Sequence, residues 1–264
     1  MLRTIQGLCA LAFSVMFLAL GGCNSGGAVF DSTKDFPQGT GFQQFTVTVD
    51  GNARRYSVFI PRDYSPQKKY PAIVFLHGVL ESGNDATKNL GVGIGPHVRD
   101  QATTWPFITI FPQSPSDWTS PDKQRICIAA LDDVSRRYGV DQDRVILTGL
   151  SNGGEGTWII GAAYKNRFAG LVPIAGYSAK DCCPQLTGIP IWCFHNGMDF
   201  LVLSGGSADM CQRINDAGGT AKYTQTSGFG HGGWDDVYTD PEVIKWMLAQ
   251  HRNGVAAKSA AGVP

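Results

Sequence analysis

Ser151 stands in Thr148-Gly149-Leu150-Ser151-Asn152-Gly153-Gly154, between the apolar run Arg144-Val145-Ile146-Leu147 and the helix-compatible Thr157-Trp158-Ile159-Ile160. A G-x-S-x-G pattern at a strand-to-helix junction forces its serine onto a sharp turn that only small neighbours tolerate. Gly149 and Gly153 therefore let strand and helix pack closely, and the hydroxyl is pushed out of the sheet. Such a hydroxyl is a candidate nucleophile once a positioned base takes its proton.

The chain has five histidines that could be that base. His77 ends a predicted strand in Leu76-His77-Gly78-Val79 and shapes the loop that follows; His97 is expected to face solvent. His195 ends a later strand before Asn196-Gly197-Met198-Asp199, and His251 lies in or just past the last helical turn. His231 sits in Gly228-Phe229-Gly230-His231-Gly232-Gly233-Trp234, a loop flexible enough to carry an imidazole to the sheet's carboxyl edge. It also comes last in the chain order Ser, Asp, His, so His231 is the expected base.

The residue that orients the imidazole should be a carboxylate on a loop after a late strand. Asp199 fits, whereas Asp235 and Asp236 lie too close in sequence to His231 to reach its far nitrogen. Acyl transfer also needs donors aimed at the developing oxyanion, each commonly contributing about 3 kcal/mol. The backbone amides of Asn152, at a helix start, and Val79, just after His77-Gly78, are the expected pair.

The elements that must hold these residues follow from the apolar pattern. Phe45-Thr46-Val47-Thr48-Val49 and Tyr56-Ser57-Val58-Phe59-Ile60 alternate around Asp50-Gly51, which predicts an opening antiparallel hairpin. Short apolar strands follow at 72–76, 107–111, 145–150, 170–174, 190–194 and 221–226, with helices at 124–138, 156–164, 207–217 and 241–250. That alternation predicts an α/β domain over 42–252, its mostly parallel sheet covered on both faces. Asp240 and Pro241 are suited to cap and open the last helix. No insertion is long enough for a large lid, and residues 253–264 read as a frayed tail.

The 264 residues carry 22 basic and 22 acidic side chains without a long run of either, so no footprint for nucleic acid or an anionic membrane surface is present. Arg3 precedes an apolar stretch from Leu8 to Leu20, too short and too early interrupted by Gln6 and Gly7 for a membrane span. Residues 1–22 therefore read as an export signal and 23–41 as a flexible tether. Leu20-Gly21-Gly22-Cys23 resembles the bacterial lipobox, which implies lipidation of Cys23. Asn24 after the cysteine points by the same resemblance to the outer membrane of a Gram-negative source. Export permits one or two disulfides among Cys127, Cys182, Cys183, Cys193 and Cys211, although Cys193, inside Ile191-Trp192-Cys193-Phe194, is expected as a buried thiol. None of them has zinc-ligand spacing, and no cofactor is called for.

With these residues placed, the chain resembles the α/β-hydrolase superfamily. Its strings PAIVFLHGVLESG, FPQSPSDW, DQDRVILTGLSNGGEGTW, IPIWCFHNGMD and GFGHGGWDDVYTDPEVIKWMLAQ look like the bacterial predicted-peptidase branch, similar to feruloyl esterases, acetylxylan esterases and polyhydroxybutyrate depolymerases. The resemblance implies Ser151, Asp199 and His231 as a triad. Two positions depart from the pattern: Asn152 stands where relatives have Met or Gln, and Phe200-Leu201-Val202-Leu203 replaces the usual Val-Pro after the acid. Trp118, Phe200 and Trp234 are candidate lining for an aryl or alkyl group. A small-molecule or polymer-linked carboxylic ester is the expected substrate, because esters need less help at the leaving group than amides do. Cleavage of peptides or polyesters by the same residues, and a non-catalytic surface-binding lipoprotein on a decayed fold, are the alternatives.

Overall fold

The computed structural model describes residues 36–179 and 181–252. Eight strands form one sheet in the order β1-β2-β4-β3-β5-β6-β7-β8. β1 (Gly41–Val49) and β2 (Asn52–Ile60) make the predicted hairpin, with Val49 opposite Asn52. Asp50 and Gly51 take φ of 50° and 76°, the positive values a two-residue turn of the right twist requires. β2 pairs antiparallel with β4 (Ile108–Pro112). From β4 onward, β3 (Tyr70–Leu76), β5 (Val140–Leu150), β6 (Gly170–Ile174), β7 (Ile191–Met198) and β8 (Ala221–Phe229) are parallel neighbours.

The central strands are buried on both faces, so their side chains alternate between two cores. Ala72, Val74 and Leu76 of β3 join α2 (Pro121–Arg137), α3 (Asn152–Ala163), α4 (Cys183–Leu186) and α5 (Ser204–Asp216), through residues such as Leu131, Trp158, Leu186 and Ile214. Ile73 and Phe75 face the opposite way, toward α1 (Ile94–Asp100), α6 (Trp234–Thr239) and α7 (Pro241–Ala249), represented by Val98, Tyr238 and Met247. The short helices α1, α4 and α6 were not expected; at seven, four and six residues they are too brief for a helical period to emerge.

Residues 36–41, read from the sequence as part of the tether, are packed against the domain, and 23–35 lie outside the described residues. Phe36 packs edge-on against Phe59 with ring centroids 6.4 Å apart, and Gly41 opens β1, because burying an aromatic ring outweighs the backbone freedom lost. The expected disulfides are also absent among the described residues: all five cysteines there are buried thiols, packed as small apolar side chains. Residues 1–22, Cys23 and the tail 253–264 lie outside the described residues. No helix among the described residues is long and apolar enough to cross a membrane.

Asp240 caps α7 as its position suggested, accepting the Glu242 amide at 2.9 Å beside Pro241 at the first helical position. Asp240→Ala is expected to lower stability by about 1 kcal/mol, read as a reduced urea midpoint with an unchanged slope.

Candidate active site

Ser151 joins β5 to α3 with φ 55° and ψ −120°, a strained conformation for a residue with a side chain and one costing about 1–3 kcal/mol. The turn is held by the Ser151 amide donating to the Ile174 carbonyl at 2.9 Å and by the Glu155 amide donating back to the Ser151 carbonyl at 3.0 Å. Two glycines make the geometry available. A Cβ on Gly153 would lie 2.0 Å from the Leu76 carbonyl oxygen, and one on Gly149 would lie 2.4 Å from the Gly153 oxygen. This close approach sets the end of β3, and the loop after it, beside the serine.

β7 and β8 run past their predicted ends at 194 and 226 and remain paired beyond the rest of the sheet, with Met198 opposite Phe229. Asp199 follows the last residue of β7, and His231 follows that of β8 by two positions. The Gly230 amide donates to the Met198 carbonyl at 2.9 Å, which fixes the acid loop and the histidine loop against each other. Asn196, which the sequence shows only as a residue after His195, is a structural hub here. It is 3 % exposed, accepts from the Thr226 hydroxyl and donates to the Gly230 carbonyl at 3.0 Å.

The structure brings three of the expected residues into one hydrogen-bonded line. His231 Nε2 is 2.8 Å from Ser151 Oγ, and His231 Nδ1 is 2.6 Å from Asp199 Oδ2. The Asp199 side chain is fully buried and that of His231 is 15 % exposed. Burial alone would raise the Asp199 pKa, but His231 and the amides of Val202 and Leu201 hold it below the ordinary carboxylate value. Asp199 is thus an ionised acceptor aimed at the histidine. Asp235 and Asp236 sit exposed in the first turn of α6.

The loop after β3 is clamped from two sides. Trp118 Nε1 donates to the His77 carbonyl at 3.0 Å, and His77 Nδ1 lies 2.6 Å from the Gly78 carbonyl. His77 Nε2 accepts from the Ser114 amide at 3.0 Å, so the proton must be on Nδ1, which donates to Gly78. Because a trans peptide directs its C=O and N–H oppositely, holding the Gly78 oxygen also fixes the direction of the Val79 N–H. The Asn152 amide opens α3, where first-turn N–H groups have no partner within the helix.

Trp118 does not line the cleft as expected. It is fully buried beneath this loop, where its indole N–H gains a carbonyl partner. Phe200 is 67 % exposed and packs edge-on against Phe229 at 5.1 Å, while Trp234 lies 5.5 Å from the His231 ring. Val79, Leu80, Met198, Leu201 and Phe229 are further large exposed apolar side chains, in the 3-10 turn after β3, at the ends of β7 and β8, or in the loop after β7. His97 is half-buried against Trp105, not solvent-facing. A cavity of about 450 Å³ lined by Lys165, Pro184, Ile189 and His251 includes none of the three aligned residues.

No family model matches the chain. Among solved structures it is similar to a thermostable esterase, with a TM-score of 0.71 and 29 % identity, covering 80 % of this chain and 63 % of that one. It is 25 % identical over 156 residues to acyl-protein thioesterase 1 homolog 2 of Dictyostelium discoideum, covering 49 % of this chain and 70 % of the relative. It is 23 % identical over 154 residues to a bifunctional acetylxylan esterase/xylanase of Neocallimastix patriciarum, covering 56 % of this chain and 22 % of that protein. The chain therefore has the α/β-hydrolase fold, an open, mostly parallel sheet with helices on both faces.

Burial lowers the His77 pKa from its ordinary 6.5 to about 4. Between those values the unfolded chain binds a proton that the folded chain cannot, so stability falls as pH drops from about 6.5 to about 4. His77→Gln keeps an acceptor for Ser114 but has no such titration. Its urea midpoint is expected to decline less across this window than that of the parent protein.

Proposed function

We propose that the protein is a serine esterase that cleaves carboxylic esters through an acyl-enzyme. The unbroken line from Ser151 through His231 to Asp199, at 2.8 and 2.6 Å, carries this proposal. Ser151 Oγ attacks the ester carbonyl while His231 Nε2 takes its proton. Asp199 holds the Nδ1 proton and stabilises the imidazolium that forms. The amides of Asn152 and Val79 receive the oxyanion, and their preorganisation spares the site reorientation as charge develops. His231 then protonates the departing alcohol. Water, deprotonated by the same nitrogen, attacks the acyl-Ser151 ester, and collapse of the second tetrahedral intermediate releases the acid.

Esters suit this site better than amides because an alkoxide leaves with less protonation than an amine. The apolar rim that includes Phe200 and Phe229 favours an acyl or alcohol group with an aryl or alkyl body. Esterases among its sequence and structural relatives support the same reaction class. Export, with a lipid anchor at Cys23, belongs to the same proposal and rests on Leu20-Gly21-Gly22-Cys23. In a bacterial host the full chain should incorporate labelled palmitate and Cys23→Ser should not; equal labelling would remove the anchor.

A fluorophosphonate probe followed by mass spectrometry tests the nucleophile. One adduct on Ser151 is expected, absent in Ser151→Ala and slowed at least about a hundredfold in His231→Ala. A folded parent protein that forms no adduct would overturn the esterase proposal.

A further inference from the structure

We propose that His195 is a positioning residue for this reaction, donating from Nε2 to Asp199 so that the carboxylate is held toward His231 and its pull on that histidine is moderated. The inference rests on the esterase proposal and assigns a second histidine to its acid. His195 Nε2 lies 3.2 Å from Asp199 Oδ2, the same oxygen that accepts from His231 Nδ1. Both side chains of the His195–Asp199 pair are fully buried.

The hydrogen-bond pattern assigns the proton. Nε2 also lies 2.8 Å from the Val202 carbonyl, so it faces two acceptors and must carry hydrogen. Nδ1 lies 2.7 Å from Ser207 Oγ, which is also 3.1 Å from the Gly176 carbonyl. That carbonyl already accepts from Trp158 Nε1 at 3.0 Å. Directing the single Ser207 hydrogen to Nδ1 therefore leaves a neutral imidazole partnered at both nitrogens, with the one Nε2 hydrogen shared between the Val202 carbonyl and Asp199 Oδ2. Directing it to Gly176 would require an imidazolium in a buried site, and burial holds the His195 pKa below its ordinary value against the opposing pull of Val202 and Asp199.

His195 also closes a ring around the acid. Asp199 Oδ1 accepts from the Leu201 and Val202 amides, both at 2.9 Å, and the Val202 carbonyl accepts from His195. The segment from Asp199 to Val202 is thereby folded around one carboxylate with the imidazole as its closing link. A donor on Oδ2 draws off negative charge that His231 would otherwise feel. Removing it leaves more charge on the carboxylate and makes Asp199 a stronger partner for the imidazolium formed in the reaction, which the pH profile of the variant reads. The titratable groups facing His195 are Asp199 and His231; α5 presents Ser207, and the turn after β6 the Gly176 carbonyl.

Two isosteres separate the two ring nitrogens. Glutamine can place its amide nitrogen near the imidazole Nε2, while asparagine reaches only as far as Nδ1. The test measures p-nitrophenyl acetate hydrolysis by the parent, His195→Gln and His195→Asn, with rates normalised to sites titrated by the fluorophosphonate so that loss of folded protein does not register. His195→Gln is expected to stay within about threefold of the parent with its acid limb unmoved. His195→Asn is expected to lose about ten- to a hundredfold in kcat with KM little changed, the factor of a lost charge-assisted hydrogen bond. The acid limb of its kcat/KM profile should also move to higher pH. Equal losses in the two variants, or a loss in His195→Asn with the limb unmoved, would overturn the proposal. A parent protein without a Ser151 adduct would instead overturn the esterase reading beneath it.

Discussion

The structure depends on one tight crossing, where β5 turns into α3 against the end of β3. The Leu76 carbonyl approaches so near to Gly153 that no side chain fits there, and Ser151 takes its positive φ at the apex. Strain of this kind persists only where the surroundings leave no alternative. Here the surroundings are a parallel sheet with both faces covered and the hydrogen bonds from Ser151 to Ile174 and from Glu155 to Ser151. The same crossing exposes a hydroxyl, orients the Asn152 amide and brings the His77–Val79 loop alongside. One packing constraint thus positions the Ser151 hydroxyl and the amides of Asn152 and Val79.

The placement of His231 and Asp199 depends on a separate device, the overrun of β7 and β8 past the edge of the sheet. Because Met198 pairs with Phe229, Asp199 and His231 leave their strands side by side despite lying 32 residues apart. Asn196 ties this overrun to the glycine-rich loop: a Cβ on either Gly228 or Gly233 would come within 2.5 Å of its side-chain oxygen. The glycines around His231 therefore allow close packing on a buried amide, and the loop that reads as flexible is held at defined points.

Polar groups buried around Asp199 form a closed set in which every acceptor has a donor. Four hydrogen bonds converge on the carboxylate, two from backbone amides and two from imidazoles. An ionised acid out of contact with water is tolerable on those terms, since each lone pair given up to solvent is recovered from a fixed dipole. The rim above this polar floor is apolar and open, with Phe200 and Leu201 following directly on the acid. A polar cluster and the apolar rim above it are thus built from adjacent residues of one loop.

The local pattern of the chain was enough to indicate the elbow at Ser151, the Asp50-Gly51 hairpin, the Asp240 cap and an α/β sheet, because each rests on residues adjacent in sequence or on a strand period of two. The spacing of Ser151, Asp199 and His231 suggested their association, and the tertiary structure brought them to hydrogen-bonding distance. Trp118 was misjudged because an aromatic near a site by sequence can face the cleft or support it from beneath, and only packing decides between them. The parts played by Asn196 and His195 were illegible for the same reason. Each is a polar residue near a strand end whose partners, Thr226 and Gly230 for one and Ser207 and Asp199 for the other, are supplied by the fold. Sequence determined which residues have the chemistry and where the backbone must turn; tertiary structure decided which donors and acceptors meet, because burial forces each polar group to find whichever partner the packing brings within reach.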